Sequence, residues 1–166
     1  MTSENEQTPY RRKRFRLPAA LYDEPGQRAL ITIITRERFP SYADPTFSRE
    51  CLDHLRCQGA QQNVAVLAFT FLPDHVHLFL RVDGSVGIVD FVRTFKSVTT
   101  RMWWTHGNTG RLWQRTFHDH LLRDDDDDSQ YITYVMMNPV QAGLAADWGE
   151  HPFTGSFALD VSDIIS

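Results

Sequence analysis

The hydrophobic pattern of the chain predicts four strands and three main helices. Runs of β-branched and aromatic residues bounded by Gly, Pro or Asp are typical of strands, and apolar residues at a spacing of three and four are typical of amphipathic helices. The predicted strands are 29–38, the two halves of 63–84, and 115–123, and the predicted helices run from Thr46 to near Gly59, from Ile88 to Met102 and from residue 129 to Pro139.

The order of these elements is strand, helix, strand, strand, helix, strand, helix, which indicates an α+β fold. We expect a ferredoxin-like (split βαβ) antiparallel sheet with the helices packed on one face. The last helix is expected to end at Pro139, because the residue before a proline avoids the helical region.

The same pattern suggests one domain with two tails. Residues 1–10 lack a hydrophobic period and are predicted to form a disordered tail. Residues 11–157 are predicted to be a single domain and residues 158–166 a C-terminal tail. A chain of 166 residues is long enough for a real core, since about 70% of the unfolded surface is buried at this size.

Two histidines interrupt the apolar run "FLPDHVHLFL" at residues 71–80. Pro73 and Asp74 are typical of a tight turn, so His75 and His77 should begin the second strand of a hairpin. Residues two apart on a strand point to the same face about 7 Å apart. The pair can therefore converge on one metal ion, and the alternative is two ordinary histidines on a wet sheet face.

The last predicted helix adds two candidate groups. Tyr134 and Asn138 are four residues apart and share one helical face. The amide oxygen of Asn138 is a hard ligand that could complete a three-ligand set with the histidines for Mg²⁺ or Mn²⁺, with positions left open for phosphate and water. The alternative is that Tyr134 packs in the core and Asn138 only ends the helix. Tyr131 is a weaker candidate nucleophile, because it lacks the four-residue spacing to Asn138.

Charge is distributed unevenly along the chain. The net charge is −4, but five consecutive aspartates occupy 124–128, and without them 16 acidic residues face 17 basic ones. The basic cluster at the N-terminus suits phosphate groups, or else is a solubilising tail; its residues are Arg11, Arg12, Lys13, Arg14 and Arg16. The aspartates favour a helix start electrostatically.

Three further groups are candidate DNA contacts. One side of the second helix offers a phosphate track, or a solvated face, formed by Arg93, Lys96 and Arg101. An aromatic, amide and basic cluster that could hold unpaired bases, or pack partly in the core, is formed by Trp113, Gln114 and Arg115. In "HDH" (118–120), His120 is expected to support the site or contact DNA, and His118 to be exposed.

No apolar run reaches the roughly 20 residues of a membrane helix, and the N-terminus lacks the apolar stretch of a secretory signal. We therefore expect a cytoplasmic protein without a membrane partner.

Three motifs in order, "LPDHVHLFL", "LWQRTFHDHLLRD" and "YVMMNPVQAGL", resemble the REP-associated tyrosine transposases, a bacterial branch of the single-tyrosine HUH transposases. The resemblance extends from about Arg11 to Phe157. It implies an HUH nuclease type of fold, with His75 and His77 as metal ligands, Asn138 as the third ligand and Tyr134 as the catalytic tyrosine. The aspartate run and the two methionines 136 and 137 depart from the expected pattern.

The resemblance also implies an activity. Such enzymes cut single-stranded DNA beside a folded hairpin, and the tyrosine forms a 5′-phosphotyrosine that a 3′-hydroxyl can later reverse. The partner would be single-stranded DNA with a hairpin, and the protein a monomer or a homodimer. Two alternatives remain at this point: a hairpin-binding regulator that no longer cuts, and a histidine-rich zinc hydrolase that works without Tyr134.

Overall fold

The computed structural model describes residue 18 and residues 20–165. Its strands are β1 (Arg28–Ile34), β2 (Val64–Leu72), β3 (His75–Val82), β4 (His118–Leu121) and β5 (Thr154–Gly155), and its α-helices are α1 (Ala20–Asp23), α2 (Pro45–Gln62), α3 (Ile88–Thr105) and α4 (Asp128–Gln141). The predicted disordered tail 1–10 and the predicted DNA contacts Arg11, Arg12, Lys13 and Arg14 lie outside the described residues.

The strands form one sheet in the order β4-β1-β3-β2-β5, and every neighbouring pair is antiparallel. The first four strands have the ferredoxin-like arrangement, which confirms the predicted α+β class. The predicted hairpin is also confirmed, since Pro73 and Asp74 form the turn and His75 begins β3. The two-residue strand β5 was missed because so short a segment carries no periodicity.

Helices cover both faces of the sheet, so the prediction that they pack on one face is wrong. On one face, Ile31 and Ile33 of β1 join the larger core with α2 and α3. On the other face, Leu30 and Phe79 join a smaller core with α4. Strands β1 and β3 are largely buried on both sides, and a strand of that kind requires cover on both sides.

Helix α4 continues past Pro139 to Gln141, so the expected end at Pro139 is wrong. Proline removes one N–H donor, but the hydrogen bonds around it persist. The N–H of Ala142 donates to the carbonyl of Asn138, and the N–H of Leu144 donates to that of Pro139. A proline this close to the end of a helix interrupts only one hydrogen bond of the helical pattern.

The run of aspartates builds the start of α4. Asp127 caps the helix by accepting a hydrogen bond from the backbone N–H of Ser129, and the hydrogen bonds from Ser129 hold its pKa below the ordinary value. Asp128 forms an ion pair with Arg28 of β1. The side chain of Asp126 accepts from the backbone N–H of Arg123. Three of the five acids therefore have structural partners.

The segment expected to be a C-terminal tail is packed against the domain. Val161 is buried in the smaller core, and Ile164 and Ile165 pack against that core. Throughout the part of the chain that the structure describes, no helix has the length and apolarity to span a membrane.

Candidate active site

His75 and His77 lie on the face of the sheet that α4 covers. Register places His77 beside Thr32 of β1 and Thr70 of β2, and Phe79, two residues further, packs in the α4 core. The two imidazole rings are 4.8 Å apart between centroids and nearly perpendicular. His77 is only 4% exposed, whereas His75 is half-buried at the mouth of the site.

Each imidazole has a partner at Nδ1. The Nδ1 atom of His77 lies 2.8 Å from the hydroxyl of Thr32, and the Nδ1 atom of His75 lies 2.6 Å from a carboxylate oxygen of Asp74. In the tautomer in which both Nδ1 atoms donate, both Nε2 atoms carry the lone pair that a metal ligand needs. This donor chemistry fits a divalent cation.

Asp74 is in turn fixed by Arg38, whose guanidinium lies 3.2 Å from its other carboxylate oxygen. Burial acts to raise the pKa of Asp74, but the hydrogen bonds from His75 and Arg38 outweigh it and hold that pKa below the ordinary value. The carboxylate is therefore charged in the neutral range and orients the His75 ring.

The two tyrosines of α4 have different surroundings. The ring of Tyr134 meets His77 edge-on, with 5.5 Å between centroids. Tyr131 is buried and stacks on Phe79 at 5.6 Å, and burial raises the pKa of its phenol. Its hydroxyl lies 3.2 Å from Nε2 of His120. Tyr134 is thus the tyrosine that the fold brings to the histidine pair. It also packs against the smaller core, in which Tyr131 is buried, so its expected core packing is partly present.

Asn138 follows Tyr134 by one helical turn, and its amide N–H₂ donates to the Tyr134 carbonyl at 3.0 Å. With the amide nitrogen in this bond, the Asn138 side-chain oxygen is the atom that can accept from, or ligate, another group. Within the described residues, no cluster of three His, Cys, Asp or Glu side chains is arranged to hold a metal. An asparagine oxygen is not among those residue types, and the role of Asn138 as third ligand stays a prediction.

A polar row crosses the sheet at the level of His77. Register aligns one residue from each strand, in the order His118, Thr32, His77, Thr70 and Thr154. The hydroxyls of Thr70 and Thr154 are 2.6 Å apart. Thr32 could not be predicted as a site residue, because a threonine inside "RALITII" is an ordinary strand residue until the register is known.

The structure brings several of the expected DNA contacts together. Lys96, Gln114 and Arg115 line a groove of about 260 Å³. Arg111, which was not predicted, lines it as well. The Lys96 ammonium donates to the carbonyl of Gln114 at 2.7 Å. We call this feature the basic groove. It lies at the His75 end of the sheet, because the N–H of Gln114 donates to the carbonyl of Ile34, the partner of His75.

Other expected contacts lie elsewhere. Arg93 is exposed and pairs with Asp90, and Arg101 is exposed and donates to the Ser97 hydroxyl; neither lines the basic groove. His120 stacks on Tyr131 beneath α4, which fits a supporting position.

Trp113 is 3% exposed and its indole N–H donates to the Thr99 hydroxyl. This burial supports the alternative of core packing and leaves little of the ring for stacking on a base, although Trp113 also borders the basic groove.

Comparison with known proteins identifies the family. Residues 28–135 match the family model described as "Transposase IS200 like". The chain belongs to this family of transposases. The matched range includes both histidines and Tyr134 and stops short of Asn138.

Two curated relatives of this transposase agree. A Haemophilus influenzae protein named as a REP-associated tyrosine transposase is 30% identical over 147 residues, 82% of each chain. The REP-associated tyrosine transposase of Escherichia coli is 27% identical over 96 residues, 57% of this chain and 55% of that one. The resemblance stated from the three motifs is thereby confirmed.

Solved structures show the same fold. A REP-associated tyrosine transposase bound to a REP hairpin superposes with a TM-score of 0.67 at 20% identity, over 86% of this chain and 81% of the other. A transposase-related protein from Deinococcus radiodurans has a TM-score of 0.50 at 21% identity, over 74% and 93% of the two chains.

Proposed function

We propose that this transposase nicks and rejoins single-stranded DNA beside a hairpin through a covalent bond to Tyr134. The observation that carries the proposal is the edge-on contact between Tyr134 and His77. It sets a phenol beside two imidazoles whose Nδ1 partners suit them to ligate a cation. Because Tyr131 is buried in the core, Tyr134 is the nucleophile we infer.

His75, His77 and Asn138 would hold the cation, Mg²⁺ or Mn²⁺; both favour oxygen ligands such as the Asn138 amide and the phosphate, and the two imidazoles would complete the set. The contacts of α4 support the third ligand. Tyr131 lies over Phe79 and Tyr134 over His77, so the helix runs along β3 toward His75. Asn138 lies about 6 Å further along the helix, and His75 about 7 Å further along the strand.

The bound cation would neutralise charge on the phosphate that is attacked. The phenol oxygen of Tyr134 forms a bond to phosphorus as the bond from phosphorus to the 3′ oxygen breaks. The proton lost by the phenol is balanced by the one gained at the 3′ oxygen, which leaves a free 3′-hydroxyl and a 5′-phosphotyrosine. Attack by a 3′-hydroxyl reverses the step, so strands are rejoined without ATP.

We infer that the substrate is a DNA hairpin with single-stranded flanks, as the structural neighbour is bound to a REP hairpin. The basic groove would hold the backbone of a strand on its way to the site, through Lys96, Arg111 and Arg115. The basic residues Arg11, Arg12, Lys13 and Arg14 remain proposed phosphate contacts, as do Arg93 and Arg101. Access to chromosomal DNA requires a cytoplasmic location.

Tyr134 and the histidines belong to the same chain in this contact. We therefore propose that one molecule carries a complete site and that a monomer can cut DNA. A homodimer that exchanges α4 between subunits is the alternative arrangement.

The test begins with selection of stem-loop oligonucleotides with randomised single-stranded flanks on the immobilised protein. Selected DNA is labelled, incubated with Mn²⁺ and separated by denaturing electrophoresis. We expect a covalent protein–DNA band that Tyr134→Phe abolishes and that the matched variant Tyr131→Phe retains. Tight hairpin binding with no covalent band for the wild type would instead identify a regulator that does not cut.

A further inference from the structure

A second cavity lies outside the groups described above, where α2 begins and α3 ends. It has a volume of about 190 Å³, and we call it the aromatic pocket; the residues that matter here are Phe39, Ser41, Asp44, Trp103 and Asn108. Pockets for drug-sized ligands start at roughly 300 Å³. The aromatic pocket is therefore of a size for a single ring system.

The wall of the pocket is aromatic and accessible. Phe39 is 57% exposed, and its ring lies 6.4 Å from that of Trp103 at an angle of 60°. An apolar ring this exposed loses the stabilisation that burial would provide. The two rings contact each other at a tilt, and the exposed part of Phe39 leaves a ring surface on which a further planar group can stack.

The polar groups of the pocket are left with capacity to bind. Ser41 is buried, and its hydroxyl has no hydrogen-bond partner among the residues described, which is costly for a buried polar group. The amide N–H₂ of Asn108 donates to the Trp103 carbonyl, so its oxygen can accept. One carboxylate oxygen of Asp44 caps α2, and the other can accept.

The loop that carries Phe39 is attached to the turn before His75. The N–H and hydroxyl of Thr35 donate to the Asp74 carbonyl, and the N–H of Tyr42 donates to that of Pro73. Between these anchors, Glu37 and Arg38 have φ angles of 55° and 53°. Two successive residues with side chains in the left-handed region are unusual; they precede Phe39 directly.

Charge next to Phe39 suits a nucleic acid strand. Arg38 is more than half exposed and pairs with Asp74, and Arg36 is nearly half exposed and lies 3.8 Å from Glu37. Arginines beside an exposed aromatic ring are typical of sites that stack an unpaired base and hold its phosphate. Hydroxyl and carbonyl groups at the back of such a site can read the base edge.

We propose that the aromatic pocket binds one unpaired base of the single-stranded DNA that flanks the hairpin. This inference rests on the proposed function, because it assumes the same DNA substrate. The base would stack on the exposed ring of Phe39 beside Trp103 and donate to Asp44 or Asn108, with the Ser41 hydroxyl as a further partner. Occupancy would fix the position of the strand relative to His75 and so select the phosphate that reaches Tyr134.

The experiment measures binding without cleavage. In a Tyr134→Phe background, the selected oligonucleotide is replaced by a series that carries one abasic site at each flank position, and affinities are measured by fluorescence anisotropy. We expect one position at which removal of the base lowers affinity about ten-fold, as one lost stacking interaction would. In Phe39→Ala the intact oligonucleotide should bind about ten-fold more weakly, and the abasic site at that position should cause no further loss.

The controls separate this inference from a change of fold and from the proposed function. Phe39→Trp should retain affinity, and Leu21→Ala, an exposed apolar residue of α1, should bind as the parent does.

Equal affinity of Phe39→Ala and its parent for every oligonucleotide would overturn the proposal that the aromatic pocket binds a base, even if the wild type still forms the covalent band. Loss of self-association in Phe39→Ala with DNA binding intact would also overturn it, and would assign the pocket to a second copy of the chain. A position-specific loss without any covalent band would support the pocket and contradict the nickase.

Discussion

The two faces of the sheet are built for different purposes. Against α2 and α3 the sheet presents a continuous apolar surface, in which Ile31, Val76 and Leu78 meet Phe91 and Phe95 with no exposure to solvent. Against α4 the apolar surface is smaller and a polar row crosses it at His77. The larger core on the first face stabilises the fold. The second face can therefore carry imidazoles, hydroxyls and a phenol, polar groups that a fully apolar core excludes.

The largest effect is expected from substitution of the proposed catalytic groups, and a mixture of two such variants tests whether one chain carries the whole site. His75→Ala and Tyr134→Phe should each lower covalent adduct formation about a thousand-fold or more, as loss of a catalytic group does in other enzymes. Because the geometry places both groups in one site of one chain, a mixture of the two should stay inactive. Both variants are compared with the wild type for thermal unfolding. Recovery of adduct in the mixture would show that subunits exchange α4.

The apolar face should respond mainly in stability. Phe91 is completely buried in the larger core, and Phe91→Ala should lower the free energy of unfolding by about 3–5 kcal/mol through lost burial and a cavity. Urea unfolding followed by circular dichroism measures the change. Tyr134→Phe is the matched variant on the other face, and we expect its unfolding midpoint to stay close to that of the wild type. A cost for Tyr134→Phe as large as that for Phe91→Ala would contradict the division of roles.

A change at Thr32 tests whether the polar row orients the proposed metal ligands. Thr32→Val keeps the shape of the side chain and removes the hydroxyl 2.8 Å from His77 Nδ1, and hydrogen bonds of this kind typically contribute 10- to 100-fold in metal affinity. We expect Mn²⁺ affinity, measured by the electron paramagnetic resonance of free Mn²⁺, to fall about ten-fold. Thr32→Ser should restore it. Unchanged affinity in Thr32→Val would show that the hydroxyl plays no part in orienting His77.

The smallest expected effect is on the pH dependence of unfolding, through His54 of α2 on the apolar face. Burial against α3, where His54 stacks on Phe95 at 6.2 Å, holds the pKa of His54 below the ordinary value, with an opposing contribution from Gln58. The unfolded chain therefore binds the proton first as pH falls. The stabilisation that neutral, buried His54 provides is complete above about pH 6.5 and declines as the pH falls below that value. Unfolding measured between pH 7.5 and 5 should show a smaller pH dependence in His54→Gln, and an equal one would count against the burial.

The strands, the hairpin and the histidine pair could be predicted because each depends on local chemistry. Periodicity, the turn residues Pro73 and Asp74, and the spacing of His75 and His77 are all contained in short segments of sequence. The continuation of α4 past Pro139 could not, since the surrounding hydrogen bonds tolerate one missing donor.

Other features depend on contacts between distant segments. The pairing of Thr32 with His77 requires the strand register, and the burial of Trp113 requires its bond to Thr99 of α3. The preference for Tyr134 over Tyr131 rests on its spacing to Asn138 and on the family resemblance, and it stays a prediction; the fold adds that the Tyr134 ring contacts His77 and the Tyr131 ring contacts Phe79. The aromatic pocket joins Phe39 to Trp103, 64 positions apart along the chain, and no local pattern marks it.

The central claim is that Tyr134 is the residue joined to DNA. Protease digestion of the covalent complex, followed by mass spectrometry of the peptide that carries the nucleotide, tests it most directly. We expect fragmentation to assign the nucleotide to Tyr134 by a 5′-phosphate bond, with an intact Tyr131 in the same peptide. A nucleotide on Tyr131, or on a residue outside α4, would contradict the account.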